Sequence, residues 1–374
     1  MHLWTRIERF FKSNCLRLLE NHIGKEPLDP AVLNGVRIQR ILVIRQHDQL
    51  GDLLLSTPVF RALKARFPDV HITTIVRAYT EQILRNHPYI DEVFTFQEYL
   101  FRWTLKKAVR FWQALRSGFD LTIVLNTVSH SLSSDIMADL SGAPYVLGSE
   151  HKRFEGCTRN FFYNLIAPYD DKEKHQSERN LDIVRYIGVD TKNLKEEIGL
   201  THEEKDRAKS ILNRLIKKPD RPVLGIQPGA GKVENRWPAE RFAEVTDRLV
   251  RKLDVNVVLF HGPNEEKLIQ TMKESMTSHF QVAPRISLRS DAAFFSQLDL
   301  FLCNDTGVMH AAASVGTPVV AIFGPTDPTS WKPWGDHFIA IRGENRSVQN
   351  VKIETVFRES LKILEKKAKY LNIK

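Results

Sequence analysis

The stretch that decides the fold runs from Leu298 to Gly335, LDLFLCNDTGVMHAAASVGTPVVAIFGPTDPTSWKPWG. Its apolar run Leu300-Phe301-Leu302-Cys303 has the length of a short buried strand. The polar turn Asn304-Asp305-Thr306-Gly307 follows, and then the small, helix-compatible Val308-Met309-His310-Ala311-Ala312-Ala313. Gly316 is expected to stop that helix, and Pro318 to keep the chain extended into a second apolar run, residues 319–323. This is one strand–turn–helix–strand unit of a parallel α/β sheet. Its polar residues lie at the carboxyl end of the first strand, where open α/β sheets bind ligands.

The turn has the chemistry for an anion. Thr306 and Gly307 sit where the first amides of a helix are free, and those N–H groups together with the helix dipole favour a phosphate. Thr306 adds a hydroxyl, and His310 follows one turn later, within reach of the same place. For the tripeptide Asp-Thr-Gly alone, a plain helix cap with a packed histidine is the simpler reading. The whole block is far more specific than the tripeptide.

Residues 305–335 resemble the nucleotide-sugar site of the bacterial heptosyltransferases, lipopolysaccharide-core glycosyltransferases of the GT-B fold. The likeness covers nearly all of residues 38–350 and is strongest in 40–68, 225–245 and 299–335.

Composition agrees with such an enzyme. The 374 residues suffice for two domains with proper cores, and 42% hydrophobic with 26% charged content is ordinary for a soluble protein. No apolar run reaches the length of a membrane span, and residues 1–24 are too charged for a signal peptide. Cys15, Cys157 and Cys303 are few, scattered and odd in number, which argues for a reducing cytoplasmic setting and against a disulfide frame or zinc site. The net charge of +9 points to an acidic partner. No nucleic-acid motif is present.

Taken in order, residues 1–23 form a basic amphipathic helix, with Leu3, Ile7, Phe10, Phe11, Leu18 and Leu19 on one face. It suits an anionic membrane surface, such as the inner face of the bacterial inner membrane, and equally the protein's own body; both readings stay open here. Residues 24–37 read as a linker. Residues 40–45 are a buried strand, 46–52 a polar turn and 53–67 a helix, which opens a Rossmann-like unit without the G-x-G-x-x-G of a dinucleotide site. Read alone, Asp52 is a helix cap. The stretch RQHDQLGDLLLSTPVFRALKARFP, however, resembles the amino-terminal heptosyltransferase motif, in which a Gly-Asp pair begins the first helix. The resemblance makes Asp52 the general base that takes the proton of a sugar hydroxyl, with Asp48 a second carboxylate in the same turn.

Strands at 70–76, 92–96 and 119–125 alternate with helices at 80–86 and 105–117, the pattern of a parallel sheet. Arg102, Lys106, Lys107 and Arg110 cluster near the second of these helices. They form either a solvated basic face or, by the resemblance, the surface that meets a phosphorylated, acidic acceptor. Lys152 and Arg153 offer a second basic spot, and Asn126 and Ser129 follow a strand end. The His175…Glu-Arg-Asn-Leu pattern recurs in the family and opens a helix that Ser177 is expected to cap.

The second unit repeats the scheme. A strand at 222–226 leads into Gln227-Pro228-Gly229-Ala230-Gly231-Lys232, whose free amides and lysine suit a diphosphate, although the loop is not a Walker A motif. The following RWPAERFAEV resembles the second family signature. Many family members carry a lysine two residues before the Trp-Pro; Asn235 stands there in this chain, so the phosphate cation falls to Lys232 or Arg236, with Lys232 the expected one. Trp237 is expected in the core. His261 and Gly262 end the strand at 255–260, and 353–367 is an amphipathic helix of the kind that crosses back to the first domain in GT-B folds.

The expected organisation is therefore a basic helix and linker (1–37), an acceptor-binding Rossmann-like domain (38–187), a nucleotide-sugar-binding Rossmann-like domain (188–350) and a terminal helix (351–374), the two domains facing across a cleft. The resemblance implies an inverting, metal-independent transfer of heptose from an ADP-sugar to a lipid A–Kdo acceptor of the lipopolysaccharide inner core, with no cofactor. Asp52 acts as the base, and Gly229, Lys232, Asp305, Thr306, Gly307 and His310 hold the donor, while Arg102, Lys106 and Lys107 hold the acceptor. No Asp-x-Asp or histidine cluster suggests a metal. Two other readings fit the same motifs: a GT-B enzyme with another nucleotide sugar for O-antigen or capsule assembly, and a non-catalytic nucleotide-sugar or lipid-binding module.

Overall fold

The computed structural model describes residues 14–46 and 49–372. The chain divides into two compact units, Met1–Leu194 and Lys195–Lys374. Among the described residues each unit holds one six-stranded sheet, and all strand pairs are parallel.

The first unit contains β1 (Arg40–Arg45), β2 (His71–Arg77), β3 (Glu92–Phe96), β4 (Leu121–Val124), β5 (Tyr145–Ser149) and β6 (Leu165–Ala167). Its helices are α1 (14–23), α2 (Leu50–Leu54), α3 (Thr57–Arg66), α4 (Leu105–Leu115), α5 (Leu132–Leu140) and α6 (Gln176–Arg185). The sheet order is β3-β2-β1-β4-β5-β6. Alternate residues of β1 feed two different cores. Ile41 and Val43 pack with Val59, Leu63 and Leu181, whereas Leu42 and Ile44 pack with Leu115, Met137 and Phe161. A strand buried on both faces must be apolar throughout, which is why residues 41–44 read as a continuous hydrophobic run.

The expected helix over 53–67 is two helices. Pro58 lies in the first turn of α3 and has no N–H to give to the carbonyl of Leu54, so the first helix ends. The Thr57 hydroxyl takes that carbonyl instead, at 2.8 Å, and Ser56 Oγ donates to Leu53 O at 2.6 Å.

Residues 1–13, which carry most of the expected amphipathic helix, lie outside the described residues. Its described end, α1, packs on the first unit. Leu16 is buried with Phe161 and Phe162, and the Glu20 carboxylate accepts from the amides of Thr158 (3.1 Å) and Arg159 (3.3 Å).

The second unit contains β7 (Val223–Gln227), β8 (Asn256–Leu259), β9 (Gln281–Val282), β10 (Leu300–Asn304), β11 (Val319–Phe323) and β12 (Phe338–Arg342). Its helices are α7 (His202–Leu215), α8 (Ala239–Leu253), α9 (Glu266–Ser275), α10 (Leu288–Phe295), α11 (Gly307–Ser314), α12 (Pro328–Trp331) and α13 (Ile353–Asn372). The order is β12-β11-β10-β7-β8-β9. Gly316 adopts a left-handed conformation (φ 85°) just past α11, and it ends that helix as the sequence predicts. Trp237 is buried against Phe242 and donates Nε1–H to Val351 O at 3.3 Å. The last helix, α13, packs on α8, with Val356 and Leu364 in the core of its own unit.

Candidate functional site

Strand order fixes where each unit can hold a ligand. In the second unit β8 and β9 extend from β7 in one direction, and β11 and β12 extend from β10 in the other. The chain therefore reverses its winding between β7 and β10. Loops leaving the carboxyl ends of those two strands diverge there and leave a crevice. The β7 loop carries Gly229 and Lys232, and the β10 turn carries Asp305, Thr306 and Gly307.

Buried polar side chains brace these loops. Asn304, fully buried at the end of β10, accepts from the amide of Trp237 (3.0 Å) and donates to the carbonyl of Pro228 (2.8 Å). Thr306 is the extended N-cap residue of α11, and its hydroxyl makes no capping bond. Asn235 is buried and donates to the Asp305 carboxylate at 3.0 Å, with Thr326 a further hydrogen-bond partner of Asp305. Burial pushes the Asp305 carboxyl up, against the opposing pull of Thr326, His310 and Lys232. At position 235, where the resemblance implies a lysine, this chain has a neutral amide that holds Asp305. Lys232 remains exposed beside the turn.

His310 is buried, and its Nδ1 lies 3.0 and 3.1 Å from the two oxygens of Glu196. Ser314 donates to the His310 carbonyl at 2.7 Å and also reaches Glu196. The sequence reading missed Glu196, because 114 residues separate it from His310 and no local pattern marks it. It also missed Glu265. This buried carboxylate accepts from the amide of Gly262 at 2.6 Å and from Gln227 at 3.3 Å. A Cβ at Gly229 would overlap that carboxylate, so any other residue there would have to push the Glu265 side chain aside. The signal available in the sequence was an acid three residues beyond Gly262, at the start of a helix.

The first unit repeats the geometry between β1 and β4, where its winding reverses. Asp52 is the third residue of α2, and its Oδ2 accepts from the Gln49 amide at 3.0 Å, fixing the carboxylate at the helix start. Asp48 lies outside the described residues. Arg45 is buried at the end of β1, where its guanidinium donates to the carbonyls of Leu125 and Asp52 and, at 3.3 Å, to Thr127 Oγ1. Gln46 donates to Ser133 (2.8 Å) and Ser134 (3.1 Å) at the start of α5.

The His175…Glu-Arg-Asn-Leu pattern now has a role. Asn180 donates to Leu55 O at 3.1 Å and accepts from Thr127 at 2.9 Å, and Gln176 donates to Thr127 at 2.6 Å. Helix α6 therefore locks the α2–α3 break to the end of β4. The cap of α6 is His175, whose Nδ1 accepts from the Ser177 amide at 3.2 Å, and not Ser177, whose buried hydroxyl has no hydrogen-bond partner. Asn126 bonds both ways to Ser149 across β4 and β5, which makes it a sheet brace. Arg153 and Lys152 are spent on the carbonyls of Thr158 and Val128. Beside the ends of β4, β5 and β6 opens a cavity of about 410 Å³, lined by Thr127, Ser149, Tyr169, Asp182 and Tyr186.

Arg102, Lys106 and Lys107 are exposed at the entry to α4, beyond the edge strand β3 and two strands away from β1. Arg102 lies over the rings of Tyr99 (5.2 Å) and Phe101 (5.8 Å). Among the described residues no three His, Cys, Asp or Glu side chains are grouped to hold a metal ion, and no helix is long and apolar enough to cross a membrane.

Comparison with known proteins agrees with this arrangement. The model of glycosyltransferase family 9 (heptosyltransferase) matches residues 108–360. The lipopolysaccharide heptosyltransferase 3 of Escherichia coli K12 is 25% identical over 346 residues, covering 86% of this chain and 91% of its own length. The structure of a family 9 glycosyltransferase from Veillonella parvula superposes with a TM-score of 0.75 at 25% identity, covering 88% of this chain and 99% of the other. The E. coli ADP-heptose lipopolysaccharide heptosyltransferase II gives a TM-score of 0.72 at 22% identity over the same shares, 88% and 99%. Two Rossmann-like parallel-sheet units in tandem are the GT-B architecture expected from the sequence. With its family model spanning well over half of its residues, the chain belongs to glycosyltransferase family 9, the heptosyltransferase family.

Proposed function

We propose that this chain transfers a heptose from ADP-heptose to the inner core of lipopolysaccharide, with inversion and without a metal ion. The observation that carries the reading is the family match together with an anion-ready turn, Asp305-Thr306-Gly307, at the winding reversal of the second unit. The E. coli ADP-heptose lipopolysaccharide heptosyltransferase II has the same fold.

The steps follow from the residues. Asp52 takes the proton of the acceptor hydroxyl as that oxygen attacks the anomeric carbon. The bond from that carbon to the diphosphate breaks, and negative charge develops on the leaving ADP. The free amides at the start of α11, the Thr306 hydroxyl and Lys232 receive it, and this interaction is stronger in the transition state than before it. Gly229 lets the β7 loop lie close to the donor. Asp305, held by Asn235, and His310, held by Glu196, orient the phosphate or ribose. Arg102, Lys106 and Lys107 meet the acidic groups of the lipid A–Kdo acceptor. Because that acceptor is a lipid, the enzyme works at the cytoplasmic surface of the inner membrane.

The test is sugar transfer by the purified protein across ADP-, UDP- and GDP-sugar donors, with a Kdo-bearing lipid A acceptor. Turnover confined to ADP-heptose is expected. Turnover with a different donor only would move the protein to another pathway and overturn the donor assignment.

A further inference from the structure

We infer that the outer face of α4 and the loop before it form a docking surface for an anionic phospholipid bilayer. Residues 99–116, YLFRWTLKKAVRFWQALR, contain five cations and no Asp or Glu. Helix α4 uses one face for its own unit: Phe111 packs edge-on against Trp103 and Phe96, and Leu115 is buried. On the rest of its surface Leu105, Val109 and Trp112 follow one another at helical spacing and stand 83%, 45% and 50% exposed. Just before them, Phe101 is 80% and Tyr99 53% exposed, their rings stacked at 5.5 Å.

An apolar stripe of this kind on a soluble surface marks an interaction site, and the charges around it select the partner. Arg110 and Arg116 flank the stripe beside Arg102, Lys106 and Lys107, the cations that the proposed function gives to the acceptor at the same surface, with nothing acidic among the five. A second copy of this chain would bring two such cationic surfaces together, and a nucleic acid would leave Leu105 and Phe101 without an apolar partner. A bilayer with anionic headgroups satisfies both components. Tryptophan, phenylalanine and leucine enter the headgroup boundary, and lysine and arginine stay at the phosphates on their long stems. The inference rests on the proposed function only in the lipid nature of the acceptor; its surface is read from exposure and charge. It places the bilayer contact on the first unit's own helix, independent of residues 1–13.

The test uses the full chain and acceptor-free vesicles of phosphatidylethanolamine with phosphatidylglycerol, against vesicles of phosphatidylcholine alone. The protein is expected to co-sediment with the anionic vesicles only, less so at high salt, and to show a blue shift of tryptophan emission that Trp112→Phe reduces. The Leu105→Ser/Trp112→Ser variant, whose changes are at exposed positions, keeps its melting temperature and binds the vesicles roughly tenfold more weakly. It keeps native turnover on a water-soluble acceptor and loses turnover on one embedded in a bilayer. Native-like vesicle binding by that variant would overturn the inference. So would a change in its sedimentation coefficient with lipid binding intact, since the stripe would then be a protein–protein contact. Absence of heptose transfer to either acceptor would overturn the proposed function and leave the vesicle result standing.

Discussion

The two units share one plan and differ in how their sites are built. Each is a six-stranded parallel sheet whose winding reverses between its two central strands, β1 and β4 or β7 and β10. In the second unit the site is mostly backbone: a glycine pressed on a buried carboxylate, a helix N-terminus, and loops tied by Asn304 and Asn235. In the first unit it is one side chain, Asp52, on a five-residue helix that Arg45, Thr127 and Asn180 hold in place. On the proposed function this difference is a division of labour, in which a diphosphate is recognised by groups that any such fold supplies, whereas proton removal needs one carboxylate and a frame around it.

The largest effect that would sharpen this contrast is expected from Asp52→Asn, which should lower turnover by roughly 10²–10⁴-fold while ADP affinity stays native, as measured by steady-state kinetics and calorimetric titration. Next is Gly229→Ala. Its Cβ must displace the Glu265 carboxylate, and ADP should bind at least about tenfold more weakly with the fold retained by circular dichroism.

One buried titratable group in each unit should respond oppositely to pH. His87 in the first unit is held near 4 by burial and by Arg61, below its ordinary 6.5. Between those values the unfolded chain binds the extra proton, so the stability contributed by neutral His87 is complete above about 6.5 and is lost as the pH falls toward 4. The loss amounts to about 3 kcal/mol, and His87→Asn should flatten that part of a denaturation series. Asp291 in the second unit is pushed up to about 6 by burial, from 3.8, with Arg285 opposing. Here the folded state keeps the proton that the unfolded chain loses, so stability present at acid pH is lost as the pH rises through about 6. Asp291→Asn should therefore stabilise the protein above pH 6, by about 3 kcal/mol at most, and change little near pH 4, by chemical denaturation. The smallest effect is expected at Lys232, which is exposed: Lys232→Ala should weaken ADP binding by about three- to tenfold, and high salt should narrow the difference from the native chain.

How much of this was legible in the sequence follows the same contrast. The β10–α11–β11 unit was readable because strand, turn and helix are contiguous and each has a local signal: an apolar run, a polar turn and a stopping glycine. Strands β5, β6, β9 and β12 and helix α5 were not read as elements; β6 and β9 are only three and two residues long, and pairing within the sheet defines them. The single helix expected over 53–67 failed at Pro58, a signal that was present and outweighed by helical periodicity. The partners of the site residues were the hardest to see. Glu196 meets His310, Asn180 meets Leu55, and Asn304 meets Pro228 only after folding, across 76 to 125 residues of chain. Local periodicity carries no information about such pairs. Asn235 shows the limit in another way: its departure from the family lysine was visible, but its bond to Asp305 was not.

The most direct test of the division of labour measures two observables, ADP affinity and single-turnover heptose transfer, on Asp52→Asn and Gly229→Ala side by side. The account predicts a clean separation, with Asp52→Asn binding ADP like the native protein and transferring almost nothing, and Gly229→Ala losing affinity yet transferring at near-native rate once saturated with donor. Loss of ADP binding in Asp52→Asn, or retained transfer by it, would contradict the assignment of proton removal to the first unit and donor recognition to the second.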